Sequence, residues 1–144
     1  MKKIRRNAIF IILLGIISMS AIFYYEYMGK DSKGEIFYND ELIAKEGDSY
    51  NYFSREGSID LLTFKRFSGV ETVYVSGQDQ TIHLDLNYGI DFGNFKVVIV
   101  RQNNEVIVIE NATNYDTEMK AGDKIKIVGD NTSGELRLIL SENE

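Results

Sequence analysis

The chain has 144 residues, one histidine, no cysteine and a net charge of −6, which leaves room for at most one globular domain of ordinary size. A disulfide framework, a thiolate metal cluster, a lipid-modified cysteine and a zinc site of the usual two- or three-histidine kind are excluded. Apolar residues at 44% and charged residues at 26% fit a folded domain and not a multi-span membrane protein.

Lys2, Lys3, Arg5 and Arg6 precede an uncharged run over residues 8–25, interrupted only by Gly15, Ser18 and Ser20. As a helix this run spans about 27 Å, close to a hydrocarbon core of roughly 30 Å. Four basic residues stand before it and only Glu26 and Lys30 follow closely, so the positive-inside rule places the N-terminus in the cytoplasm. Phe23, Tyr24, Tyr25 and Tyr27 cluster where an outer interface belt is expected. The expected organisation is a cytoplasmic basic tail over residues 1–7, one transmembrane signal-anchor helix over 8–27, a juxtamembrane connector over 28–56 and an extracytoplasmic β-domain over 57–141. A secretory signal cleaved after small residues such as Ser18 and Ser20 shares the same front end. The apolar run continues past that point through Ile22 and Phe23, which favours the anchor. A core helix of a soluble protein is the third reading, and it lacks an amphipathic stripe.

Beyond the apolar run the chain is acidic. Residues 30–144 hold 12 basic and 21 acidic residues, a balance that opposes nucleic-acid and anionic-lipid partners and favours solubility. Residues 28–34 read as a polar hinge. Between 35 and 57 the apolar groups are short (Ile36 to Tyr38; Leu42 and Ile43; Tyr50, Tyr52 and Phe53) and are broken by Asn39-Asp40 and Gly47-Asp48, so the segment predicts at most a weak strand or hairpin.

From residue 57 the pattern is that of strands. Runs over 59–67 and 71–75 are separated by Ser68-Gly69, and Ser76-Gly77 follows. Residues 81–91 then alternate, with Ile82, Leu84, Leu86, Tyr88 and Ile90 on one face and His83, Asp85, Asn87 and Asp91 on the other. Phe95, Val97 and Ile99 continue toward a four-residue hairpin loop at 101–104, followed by an apolar run over 106–109. Ile125 and Ile127 are expected to pair with Leu136, Leu138 and Leu140 across a turn at 129–134. Regular strand spacing without an amphipathic helix predicts an all-β fold, a small antiparallel β-sandwich or jelly roll of six to eight strands. The chain has no proline, so Lys124 and Lys126 are the expected guards of exposed sheet edges.

Phe64 to Gly69, the 81–91 strand, the hairpin over 95–106 and the ending Ala121-Gly122-Asp123 through Ser133-Gly134-Glu135-Leu136 resemble small exported β-sandwich proteins of Gram-positive bacteria. The ending also resembles pre-peptidase C-terminal jelly-roll domains. The likeness covers about 85 residues, rests on turn and strand spacing, and implies no catalytic residues.

His83, Asp85 and Asn87 form the polar row that could bind a ligand, or supply half of a triad if a nucleophile were placed beside them. No Gly-x-Ser-x-Gly elbow occurs, and a solvated strand face explains the same residues. Asp91, Asp116, Asp123 and Asp130 are candidate calcium ligands if their loops converge, although turn propensity accounts for each. Tyr50 and Tyr52, with Phe53, Phe64, Phe67, Tyr74 and Tyr88, offer a sugar-stacking platform only where their rings are exposed. No cofactor is implied. The functional expectation is a non-catalytic interaction or accessory module at the bacterial cell membrane, with envelope proteins as partners. A glycan- or calcium-binding module and a secreted form after signal cleavage are its alternatives, and a carboxylate-based hydrolase stands third.

Overall fold

The computed structural model describes residues 16–17, 33–111 and 114–142. The chain divides into two units, Met1–Asp31 and Ser32–Glu144. In the first, only Ile16 and Ile17 are described, both helical; the rest of the expected anchor lies outside the described residues. No helix among the described residues is long and apolar enough to cross a membrane.

The second unit is antiparallel β-sheet. Its strands are β1 (Ser49–Asn51), β2 (Ser54–Ser58), β3 (Leu61–Val75), β4 (Gln80–Val100), β5 (Val106–Ile109), β6 (Tyr115–Met119) and β7 (Lys124–Glu142). They hydrogen-bond in the order β1-β3-β7-β4-β5, with β2 also on β3 and β6 also on β4. The three central strands, β3, β7 and β4, are long enough to serve two half-sheets each. In one half, β2 and β6 flank Leu62 opposite Leu136 and Leu136 opposite Tyr88; in the other, β1 and β5 flank Val70 opposite Val128 and Val128 opposite Lys96.

A line of bulges separates the halves. Arg66 in β3, Gly93 in β4 and Asn131 in β7 have φ of 50°, 80° and 45°. They fall at one level of the ladder, where Phe67 lies opposite Thr132 and Phe92 opposite Ser133 with register shifts on either side. An extra residue in an antiparallel strand bends it and raises its twist, so three adjacent bulges fold the sheet over a common core. Leu62, Phe64, Leu84, Leu86, Leu136 and Leu138 from one half meet Val97, Ile99, Ile125 and Ile127 from the other in a single buried cluster.

This geometry corrects two expected turns. Ser68-Gly69 and residues 129–134 lie within continuous strands, and the hairpin expected between Ile125 and Leu136 is absent among the described residues: Ile125 pairs with Tyr74 and Ile99, and Leu136 with Leu62 and Tyr88. Glycine and asparagine reach positive φ cheaply in bulges as well as in turns, so the same residues fit both. The β4–β5 hairpin does form, with a loop over 101–105 in which the Arg101 N–H donates to the Glu105 carbonyl at 2.9 Å.

The half-sheet holding β5 is covered on both faces except at its edge, where Val108 is exposed. Its outer face (Val70, Val98, Val100 and Val128) is covered by Ile36 from a 3-10 helix, Gly34–Tyr38, and Ile43 from α1, Asp40–Lys45. That is why residues 97–100 form an unbroken apolar run. The Asn39 side chain caps α1 by accepting from the N–H groups of Glu41 and Leu42 at 3.0 and 3.2 Å. Lys96 adds an ion pair to Asp40 at 3.7 Å and lies over the Phe37 ring.

Lys126 closes the other end of α1. It belongs to β7, a central strand, and so guards no edge, contrary to the sequence expectation. Its side chain is buried and its ammonium donates to the carbonyls of Ile43 at 2.8 Å and Glu46 at 2.7 Å. Burial, reinforced by Lys124, pushes it below the usual lysine range. Lys126→Met keeps the packed stem but leaves both carbonyls without their donor. The expected cost is about 1–3 kcal/mol, read as a lower urea midpoint at unchanged m-value, with earlier exchange of the α1 amides.

Candidate functional site

The alternating β4 strand presents His83, Asp85 and Asn87 on its outer face while Ile82, Leu84 and Leu86 point inward. His83 does not pair along its own strand with Asp85. It meets Asp116 on β6, with Nδ1 2.6 Å from Oδ1, because the two residues face each other in the β4–β6 ladder. On the other side His83 faces Ser141 of β7. Three adjacent strands thus set an aspartate, a histidine and a serine in one row. Among the described residues no hydrogen bond joins Ser141 to His83, and Asp116 and Ser141 are exposed. A triad requires a hydroxyl held against the imidazole and donors for the developing oxyanion. This row has the residue types on an open sheet face without that hydroxyl contact. Asp85 faces Ile139 and Asn87 faces Arg137 along the same surface.

The acidic candidates are engaged separately. Asp123 is buried and accepts from the Lys120 N–H at 2.9 Å, the Gln102 N–H at 3.2 Å and Arg101 Nη1 at 2.7 Å. Arg101 Nη1 also reaches the Glu118 carbonyl at 2.5 Å, so one carboxylate and one guanidinium join the β4–β5 and β6–β7 loops. Burial raises the Asp123 pKa, but the Lys120 N–H, the Arg101 guanidinium and the Gln102 N–H outweigh it and hold the carboxyl below its ordinary value. Beside this staple lies an open cleft of about 600 Å³ whose lining includes Gln80, Thr81, Arg101, Glu118 and Lys120.

Asp130 sits at the bend, accepting from the Tyr38 hydroxyl at 2.7 Å. Gly34 lies so close that a Cβ there would stand 2.4 Å from Asp130 Oδ1. Asp116 is held against His83, and Asp91 is exposed on β4. Among the described residues no three His, Asp or Glu side chains are grouped to hold a metal ion, so the loop convergence on which calcium binding was conditional is not found there.

The aromatic set is likewise divided. Phe64 and Phe67 are buried, and Tyr74 and Tyr88 pack against the same core. Tyr52 stacks on Phe67 with centroids 4.6 Å apart and donates its hydroxyl to Glu71 Oε2 at 2.5 Å, while Glu71 holds Arg55 at 3.2 Å. Burial and then Glu71 push the Tyr52 phenol above its usual range. Tyr50 leans edge-on against Tyr52 at 5.4 Å, and Phe53 is exposed. Tyr52 is therefore a support of the core, and of the seven candidate rings Tyr50 and Phe53 alone are exposed.

Sequence reasoning missed three partners. Asp116 as the companion of His83 depends on a pairing across 33 residues, and Lys126 as the cap of α1 on one across 83. Neither leaves a local pattern. The third, Lys33, donates to the Tyr50 carbonyl at 3.3 Å and to Asn51 Oδ1 at 3.2 Å on β1; it lies in a stretch of mixed charge, Lys30-Asp31-Ser32-Lys33-Gly34-Glu35, that does not single it out.

No family model, curated protein or solved structure matches the chain. The functional reading therefore rests on its own residues. Asp123, Glu71, Lys126 and Asp130 are each bonded to groups that hold a loop, a strand or a helix in place.

Proposed function

We propose that this protein is a non-catalytic interaction or accessory module of the bacterial cell envelope: a small β-sandwich held outside the cytoplasmic membrane by a single N-terminal transmembrane helix. The observation that carries the reading is the pairing of two features in one short chain. The front is a basic cluster followed by the uncharged run 8–25; its ten Ile, Leu and Phe residues contribute about −3 to −6 kcal/mol toward insertion. The rest is an acidic β-domain in which Asp123, Glu71, Lys126 and Asp130 are committed to structural contacts. A domain tethered within a few residues of the bilayer meets other envelope proteins before it meets distant polymers, and its acidity disfavours nucleic acid.

The test is a pull-down of the tagged full chain from crosslinked membranes. Recovery of the same envelope protein across replicates supports the proposal; recovery of the bait alone overturns it. Sequencing the N-terminus of the membrane-fraction protein separates an intact anchor from a cleaved signal.

A further inference from the structure

The edges of the sheet are not equally defended. An open strand edge offers unpaired N–H and C=O groups to any passing strand, and charged side chains or local irregularity normally discourage that. On β1 the Tyr50 carbonyl is taken by Lys33. β2 carries Arg55 and Glu56 and contains Gly57 at φ 90°. β6 carries Asp116 and Glu118. β5 is Val106-Ile107-Val108-Ile109, with no charge, glycine or bulge, and among the described residues it pairs only with β4.

Its register fixes what faces outward. The Arg101 N–H bonds to the Glu105 carbonyl, so in the alternation of an antiparallel ladder Ile107 and Ile109 bond to β4 while the backbone groups of Val106 and Val108 point away from it. The side chains of Ile107 and Ile109 enter the core, and Val108 is 53% exposed. Glu105 and Glu110 bracket the strand, both exposed and, among the described residues, without an ion-pair partner.

We propose that β5 is a docking edge for an extended segment of another protein, added antiparallel to it, with apolar side chains at alternate positions and a basic residue at each end. This rests on the interaction reading above and names the surface and its partner. Charge complementarity selects the occupant. Basic residues five positions apart in the incoming strand lie opposite Glu105 and Glu110 on the corresponding faces, and the apolar positions between them lie beside Val108 and Val106. A second copy of this chain brings the same acidic ends and a further net charge of −6, the wrong complement. Main-chain hydrogen bonds supply affinity in strand addition and the alternating side chains supply specificity.

The probe is the capped hexapeptide Lys-Thr-Val-Thr-Val-Lys, presented to the full chain in nanodiscs and followed by residue-resolved amide hydrogen exchange. At saturation the Val106 and Val108 amides are expected to exchange at least tenfold more slowly, with Ile107 and Ile109 unchanged. A twin with glutamate at both ends, and one with proline in place of the first valine, are expected to bind at least tenfold more weakly. Val108→Lys, at an exposed side chain, is expected to abolish the protection while leaving the thermal midpoint in place. Unchanged exchange at Val106 and Val108, equal binding of the acidic twin, or a dimer joined through β5 without peptide would overturn the assignment. If any of these occurs while envelope proteins still crosslink elsewhere on the domain, the docking edge fails and the interaction reading survives.

Discussion

Gly93→Ala is expected to destabilise the domain by at least about 3 kcal/mol, combining the strain of a left-handed backbone at a non-glycine residue with that of overpacking. Gly93 has φ 80°, and a Cβ there would stand 2.3 Å from the Asn131 carbonyl oxygen and 2.7 Å from the Thr132 Cα. Both contacts are to backbone of the neighbouring bulge, so neither yields to a side-chain rotation. Because Gly93, Arg66 and Asn131 form one line of bends, strain at Gly93 acts on the crease by which the two half-sheets close over the core. Gly89, four residues earlier on the same strand, provides the control. Nothing lies within 4 Å of its virtual Cβ, so Gly89→Ala is expected to change stability by less than about 0.5 kcal/mol. Urea titration of the three proteins side by side measures both effects. Equal midpoints for Gly93→Ala and Gly89→Ala would remove the crease from the account.

Asp123→Ala is expected to cost about 3–4 kcal/mol, because it strands a guanidinium and two backbone N–H groups at a partly dry loop junction. Asp123→Asn retains an acceptor and should lose less. The pH dependence follows from linkage. The carboxyl of Asp123 sits below its ordinary value in the folded state, so the unfolded chain binds the proton more readily. Its contribution is fully present above the unfolded pKa and is lost as the pH falls through the folded one. The gap between native and Asp123→Asn midpoints should therefore be widest near neutrality and narrow below roughly pH 4. A gap that is constant from pH 7 to pH 3 would show that the carboxylate charge plays no part in the staple.

Local features of this fold were legible wherever one side of a strand meets water. Ile82, Leu84 and Leu86 alternate with His83, Asp85 and Asn87 because the outer face of that half-sheet is open, and the 101–105 loop announces its hairpin by polar residues between apolar runs. The crease was not legible. Residues 129–134 and Ser68-Gly69 carry the composition of turns, and only the neighbouring strands decide whether a chain reverses or merely bends. Lys126 shows the same limit for a single residue: a lysine between two isoleucines reads as an edge guard until α1 is seen to end above it. The candidate site was legible in residue type but not in pairing. The histidine row was visible, but its aspartate came from Asp116, a residue singled out for a different role.

The proposed anchor has the front of the chain carry this β-domain across the membrane, and a chain without cysteine lets a single introduced thiol report the domain's side. Asn87→Cys places a single thiol on the exposed outer face of β4. Intact bacteria producing this variant are treated with a membrane-impermeant maleimide and then fractionated. Labelling before lysis, with the labelled chain in the membrane pellet, is the expected result; labelling only after lysis, with the chain in the soluble fraction, would rule out a membrane-anchored domain outside the cell.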